Sequence, residues 1–287
     1  MKIIDTIPFF MRSYQASPDC LRNYHDKYPE VFKEYFAYHC KDTEERHLQS
    51  IAKYSLTAID DVHAKIIPVI EEVAGRYSAV YQVSFPIEVN LIVGGFGSNA
   101  FTHRMIIPNI TFSLEKLSPG TDHLKAIVAH EFGHACHNII SNNRDIVWSN
   151  IRWENPLTWL YQEGAATHFS RMTEPGLNTS VYFSFDDGGD EWLEFAISNQ
   201  HDIKLEFAED YVSKTADAIF LEWFSIRGGE RFGYSRLDIF WGICFSKALL
   251  NGWEKDMPSL HGKDLTLLTL LKFGSMERGL CHDEVEE

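Results

Sequence analysis

Long apolar runs are missing from this sequence. No stretch of about 18 consecutive apolar residues occurs, which argues against a membrane span and a membrane partner. The opening segment, MKIIDTIPFFMRSYQ, has one early lysine but neither a continuous apolar stretch nor a small-residue cleavage site. It does not read as a secretory signal, so the expected location is cytoplasmic. Basic residues are also in deficit, with 26 Lys and Arg against 41 Asp and Glu, giving a net charge of −15. A surface of that sign repels phosphate backbones, so no nucleic-acid partner is expected; it serves solubility and favours cationic peptides. Cysteines are few and scattered: Cys20, Cys40, Cys136, Cys244 and Cys281 include no C-x-x-C pair. That excludes a zinc ribbon and a disulfide framework, leaving reduced, mostly buried thiols as the expectation. Repeats, low-complexity tracts and Pro/Gly/Ser linkers are absent too, so one domain over residues 1–287 is expected.

What is present is enough apolar material for a core, 45% of 287 residues. Residues 1–85 read as a helical N-terminal part, with apolar spacings of three and four in Tyr28–Tyr38 and Leu48–Tyr77. Pro86 introduces an alternating, β-branched run that predicts a strand over Ile87–Val93, and Ile110–Leu114 reads as a second strand. A turn at Ser118-Pro119-Gly120-Thr121 ends in an expected N-cap at Thr121, with Asp122 suited to the positive end of a helix. Leu124, Ile127, Val128, Phe132, Ala135 and Ile139 then repeat at helical spacing to about Ser141. Asn155-Pro156 is a cap followed by proline at the first helical position. From about Asp190 the chain reads as mainly helical, with turns at Arg227–Gly229 and Asn251-Gly252. The fold class is therefore α+β, mainly helical: residues 86–141 hold a small sheet and a central helix, and 142–287 a further helical part.

The central helix carries His130-Glu131-Phe132-Gly133-His134, an H-E-x-x-H motif. Positions four apart on a helix differ by only ~40° around the axis and ~6 Å along it. Both imidazoles can therefore bind one Zn²⁺, while Glu131 lies beside that face and can reach a water instead of the metal. Roughly 0.05 chance matches are expected in a chain of this composition, so the helical context after a strand carries part of the inference. The bland alternative is two ordinary histidines with an exposed glutamate. A catalytic zinc also needs a third protein ligand and an open position. Glu163, in Trp159-Leu160-Tyr161-Gln162-Glu163-Gly164-Ala165-Ala166-Thr167, is the candidate, because a carboxylate among apolar and small residues is costly to bury unless paired or metal-bound. Gly164 costs about 1 kcal/mol of helix propensity, which points to close packing there, expected against the motif helix. A solvent-facing glutamate is the alternative reading.

H-E-x-x-H followed about thirty residues later by E-G-x-A on a second helix resembles the gluzincin metallopeptidases. The chain is similar in particular to compact bacterial gluzincin-like proteins, predicted zinc-dependent proteases. The likeness is specific over Ile127–His137 and Tyr161–Thr167, and looser over Ile87–Leu114 and Gly233–Leu250. It implies a zincin-like fold, one zinc per chain on His130, His134 and Glu163, and Glu131 as the general base. Large gluzincins often carry an aspartate four residues after the ligand glutamate, supporting a histidine; here that position is Thr167, so such support must come from elsewhere.

Other signals are weaker. His137 lies another turn along the helix, out of reach of an ion between His130 and His134. The metzincin pattern fails because position 140 is Ile. His168 reads as a packing residue or as support for a ligand. Gly94-Gly95-Phe96-Gly97-Ser98 lacks the sequel of a phosphate loop, and Asp186–Asp190 lacks the spacing of a calcium loop. Asn99-Ala100-Phe101 resembles the edge strand on which gluzincin substrates pair, although a turn before a strand fits equally. Tyr234 is a weak candidate for stabilising an oxyanion. The expected activity is hydrolysis of a bond in a peptide or protein substrate by metal-activated water. A zinc-binding scaffold without turnover and a hydrolase of non-peptide amides remain alternatives. Glu131 separates the first of them, since a scaffold has no use for that carboxylate.

Overall fold

The computed structural model describes residues 1–143, 148–225, 227–240 and 242. It divides into two compact units: Met1–Trp148 with Thr173–Pro175, and Ser149–Met172 with the described residues from Gly176 onward. No helix among the described residues is long and apolar enough to cross a membrane. The chain is α+β and mainly helical, with one small mixed sheet.

The first unit begins with β1 (Lys2–Asp5), followed by α1 (Ile7–Ser13), α2 (Pro18–Lys27), α3 (Pro29–Glu34), a π turn at Tyr35–His39, α4 (Glu44–Ile51) and α5 (Leu56–Tyr81). Next come β2 (Glu88–Ile92), β3 (Ala100–Thr102), β4 (Ile110–Ser113) and α6 (Thr121–Asn142). The sheet order is β1-β2-β4-β3: the first three strands are parallel, and β3 is antiparallel to β4, with Ala100 opposite Phe112. The inner strands are buried along almost their whole length, as parallel strands covered on both faces must be. β1 departs from the helical reading of the N-terminal part. Four residues are too few to show a period, and what makes them a strand is pairing with β2, where Lys2 stands opposite Glu88.

Ser55 caps α5 by accepting from the Ala58 N–H at 3.3 Å, and α5 packs along α6. The Tyr77 hydroxyl donates to the Ala129 carbonyl at 2.7 Å, and Phe85 meets the Phe132 ring edge-on at 5.0 Å. The cap of α6 differs from expectation. Gly120 holds the N-cap position without a side-chain cap, and Thr121 is already helical. Asp122 does stand in the first turn, where the helix dipole favours it.

The second unit contains α7 (Pro156–Thr173), of which Thr173 belongs to the first unit, then α8 (Val181–Ser184), α9 (Asp190–Ser198), α10 (Gln200–Ser213) and α11 (Ala216–Ile219), continued by a π turn at Phe220–Phe224. Asn155 caps α7 as the sequence predicts, its Oδ1 accepting from the Leu157 N–H at 2.9 Å. The core gathers Leu157 and Leu160 with Phe183, Ile203, Phe207 and Trp223. Asp210, only 1% exposed, is held there by Trp223 Nε1 at 2.9 Å and by Arg231 Nη2 at 2.6 Å. Gly229, at φ +83°, makes the turn expected at Arg227–Gly229. The turn expected at Asn251-Gly252 and the segment beyond Gly242 lie outside the described residues.

Candidate metal centre

Helix α6 sets out the motif. It is buried around most of its circumference, including Leu124, Ile127, Val128, Phe132 and Ala135, so its polar residues lie within packed structure instead of on a solvated stripe. His130 is 3% exposed, Glu131 7%, and His134 is half-buried. The two imidazoles stand with ring centroids 4.8 Å apart and planes nearly perpendicular at 88°. A fourfold spacing on one helix produces this pairing, with no help required from distant parts of the chain.

Glu131 has a partner that sequence reading did not anticipate. The hydroxyl of Thr102, on β3, lies 2.8 Å from Glu131 Oε2 and 3.0 Å from the Glu131 carbonyl oxygen. Its single proton is shared between the two acceptors, so the edge strand holds both the side chain and the backbone of this residue. No local pattern links positions 29 residues apart, so only the Ala100–Phe112 pairing of β3, which packs with α6, could have revealed it.

Glu163 sits half-buried on α7, followed by buried Gly164, Ala165 and Ala166. The Thr167 hydroxyl donates back to the Glu163 carbonyl oxygen at 2.9 Å, tying that turn of the helix to itself. Gly164 meets a second glycine: a Cβ on Gly242 would stand 2.6 Å from the Leu160 carbonyl oxygen and 3.0 Å from the Gly164 nitrogen. Two glycines therefore let these backbones touch. Beside Glu163 is Asp238, 2% exposed, whose Oδ1 has no hydrogen-bond partner among the described residues. Burial pushes the Asp238 carboxyl well above the usual range, and the charge of Glu163 adds to the effect. Asp238 follows an unremarkable Arg-Leu pair and carried no signal in the sequence.

His130 and His134 stand together on α6 in the first unit, and Glu163, the third ligand expected from the sequence, stands on α7 in the second. Two imidazole nitrogens and one carboxylate oxygen are the donor set of a three-ligand zinc site with a position left open. His137, on α6, and His168, on α7, are both half-buried.

The remaining candidates fall elsewhere. Tyr234 is half-buried and stacks on Phe195 at 4.6 Å, within the packing of the second unit's core. The amides of the Gly94–Gly97 loop are already used. Gly94 and Phe96 donate to the Glu115 carboxylate at 2.9 and 3.1 Å, and Gly95 and Gly97 to the Tyr35 hydroxyl at 2.7 and 3.1 Å. The loop thus cradles a carboxylate of its own chain. Burial raises Glu115 to about 6, against the lowering pull of those amides. A concave region in the second unit is lined by Arg152, Trp153, Tyr211 and Lys214 and includes none of the metal-capable residues.

The described residues thus define an α+β chain carrying His, Asp and Glu groups able to hold a metal ion. No protein-family model matches it, and neither the curated proteins nor the solved structures yield a significant match.

Proposed function

We propose that this chain is a cytoplasmic, zinc-dependent peptidase of the gluzincin type, with a zincin-like arrangement of sheet and motif helix. His130, His134 and Glu163 would hold the metal, one ion per chain. A bound zinc supplies Lewis acidity, lowering the pKa of water to about 7 and polarising a carbonyl. Glu131 is the general base: it takes a proton from water and passes it to the leaving amine. The observation that carries this reading is the Glu131 carboxylate, buried beside the two histidines and anchored by Thr102. A metal scaffold has no need of a fixed, buried carboxylate that is not a ligand. β3, the last strand in the sheet order among the described residues, supports a role for its outer edge in pairing with an extended substrate.

The test joins metal content with cleavage of a mixed peptide library, with and without a chelator. Wild type is expected to carry zinc at the motif and to cleave, and chelation to stop it. Glu131→Gln keeps the shape and the metal but loses the base, so hydrolysis is abolished; His134→Ala loses both metal and activity. A zinc-loaded wild type that cleaves nothing in the library would return the chain to the scaffold class. Full activity in Glu131→Gln would overturn the mechanism.

A further inference from the structure

In the first unit, away from the motif helix, two histidines and an aspartate converge without an assigned task. His25 lies in the last turn of α2, His47 on α4, and Asp42 just ahead of the Thr43 cap of α4. Each offers one ligand atom, and the three atoms lie within 4.8 Å of one another. His25 and His47 are 7% and 3% exposed, whereas Asp42 is exposed.

The hydrogen-bonding state of the two imidazoles is what sets this cluster apart. Neither ring nitrogen of His25 and neither of His47 has a hydrogen-bond partner among the described residues. A neutral imidazole carries one donor and one acceptor, and buried polar atoms are almost always satisfied, so four idle nitrogens in one place need an explanation. The rings stand 5.4 Å apart and tilted by 59°, so they are not stacked on each other. Asp42 Oδ1 comes within 3.0 Å of His47 Nε2 without the alignment of a hydrogen bond. His25 is wedged against Phe32 at 4.6 Å and Phe36 at 4.8 Å, which fixes its ring and excludes water from that side.

We propose that His25, Asp42 and His47 form a second metal site, which takes a divalent transition-metal ion of the zinc class on two imidazole nitrogens and one carboxylate oxygen. Imidazole suits zinc and its first-row neighbours, whereas calcium and magnesium prefer sets made only of oxygens. An ion there would satisfy two of the idle nitrogens at once and tie α2 to α4, which pack against each other. Solvent completes its coordination on the side of exposed Asp42. The role is structural: the ion clamps the N-terminal helices. The site is independent of the peptidase reading.

The experiment strips the full-length chain with a chelator, titrates it with Zn²⁺ against a chromophoric competitor, and follows hydrogen exchange of α2 and α4. Wild type is expected to bind two ions. Asp42→Asn changes only an exposed side chain, so it folds, and it should weaken one of the two by at least roughly tenfold, as disturbance around a ligand set does. His47→Gln removes that ion altogether. His134→Ala retains it, and Zn²⁺ still slows exchange in α2 and α4 of that variant. If a single ion binds and Asp42→Asn weakens it while His134→Ala does not, the proposal stands and the motif site fails. If Zn²⁺ binding and exchange are the same in Asp42→Asn as in wild type, the proposal is overturned, whatever happens at the motif.

Discussion

Removing the hydroxyl that holds Glu131 is the most direct probe of the proposed chemistry. Thr102→Val keeps the branched shape that suits β3 and deletes only the oxygen that bonds Glu131 Oε2 at 2.8 Å and its carbonyl at 3.0 Å. A hydrogen bond to a charged group is worth about 1.5–3 kcal/mol. Here the proton is divided between two acceptors and Thr102 is half-buried, so the lower part of that range, about 1.5–2 kcal/mol, is expected. If the bond orients the base in the transition state, that is a loss of about 10–30-fold in kcat. KM should change little, since Thr102 acts through Glu131. Once the library yields a cleaved peptide, a quenched fluorescent version gives both constants, and elemental analysis gives zinc content. Thr102→Ser, which restores the hydroxyl, should recover most of the rate. A Thr102→Val enzyme with wild-type kcat, or one that loses its zinc along with activity, refutes the assignment of Thr102 as a positioning residue for the base.

Other outcomes follow from neighbouring features. Gly242→Ala would place a methyl 2.6 Å from a backbone oxygen that cannot rotate away, and thermal unfolding should show a loss of about 1–3 kcal/mol; an unchanged melting temperature would mean that the Gly164–Gly242 contact yields freely. Glu115 is raised from 4.5 to about 6. Its stabilising contribution is fully present below pH 4.5 and is lost as pH rises through 6, roughly 2 kcal/mol in all. Urea unfolding of wild type and Glu115→Gln across that window should show this slope only in wild type, and parallel curves would contradict it. The excess of acidic side chains should bias library cleavage towards Lys or Arg near the cut bond, fading at high salt as the charges are screened. Cleavage with no charge preference at low salt removes the electrostatic claim and leaves the peptidase reading in place.

Sequence alone was informative wherever local geometry is periodic. The spacing of His130 and His134 places both rings on one face of any helix that includes them, and the apolar repeat around them announced α6. Asn155-Pro156 marked the start of α7 because a capping side chain and a proline act within two residues of themselves. β2 and β4 were legible as short β-branched runs, since burial on both faces demands such residues. Tertiary structure decided everything that joins distant stretches. β1 became a strand only by pairing with a segment 86 residues away. Thr102 became the partner of Glu131 through the register of an edge strand, and Asp238 came to lie beside Glu163 through packing within the second unit. The clustering of His25, Asp42 and His47 depends on how α2 meets α4. A helix repeats every 3.6 residues whatever surrounds it, so spacing can be read directly from the chain. Which side chains meet across elements depends on burial and strand register, which no local pattern encodes.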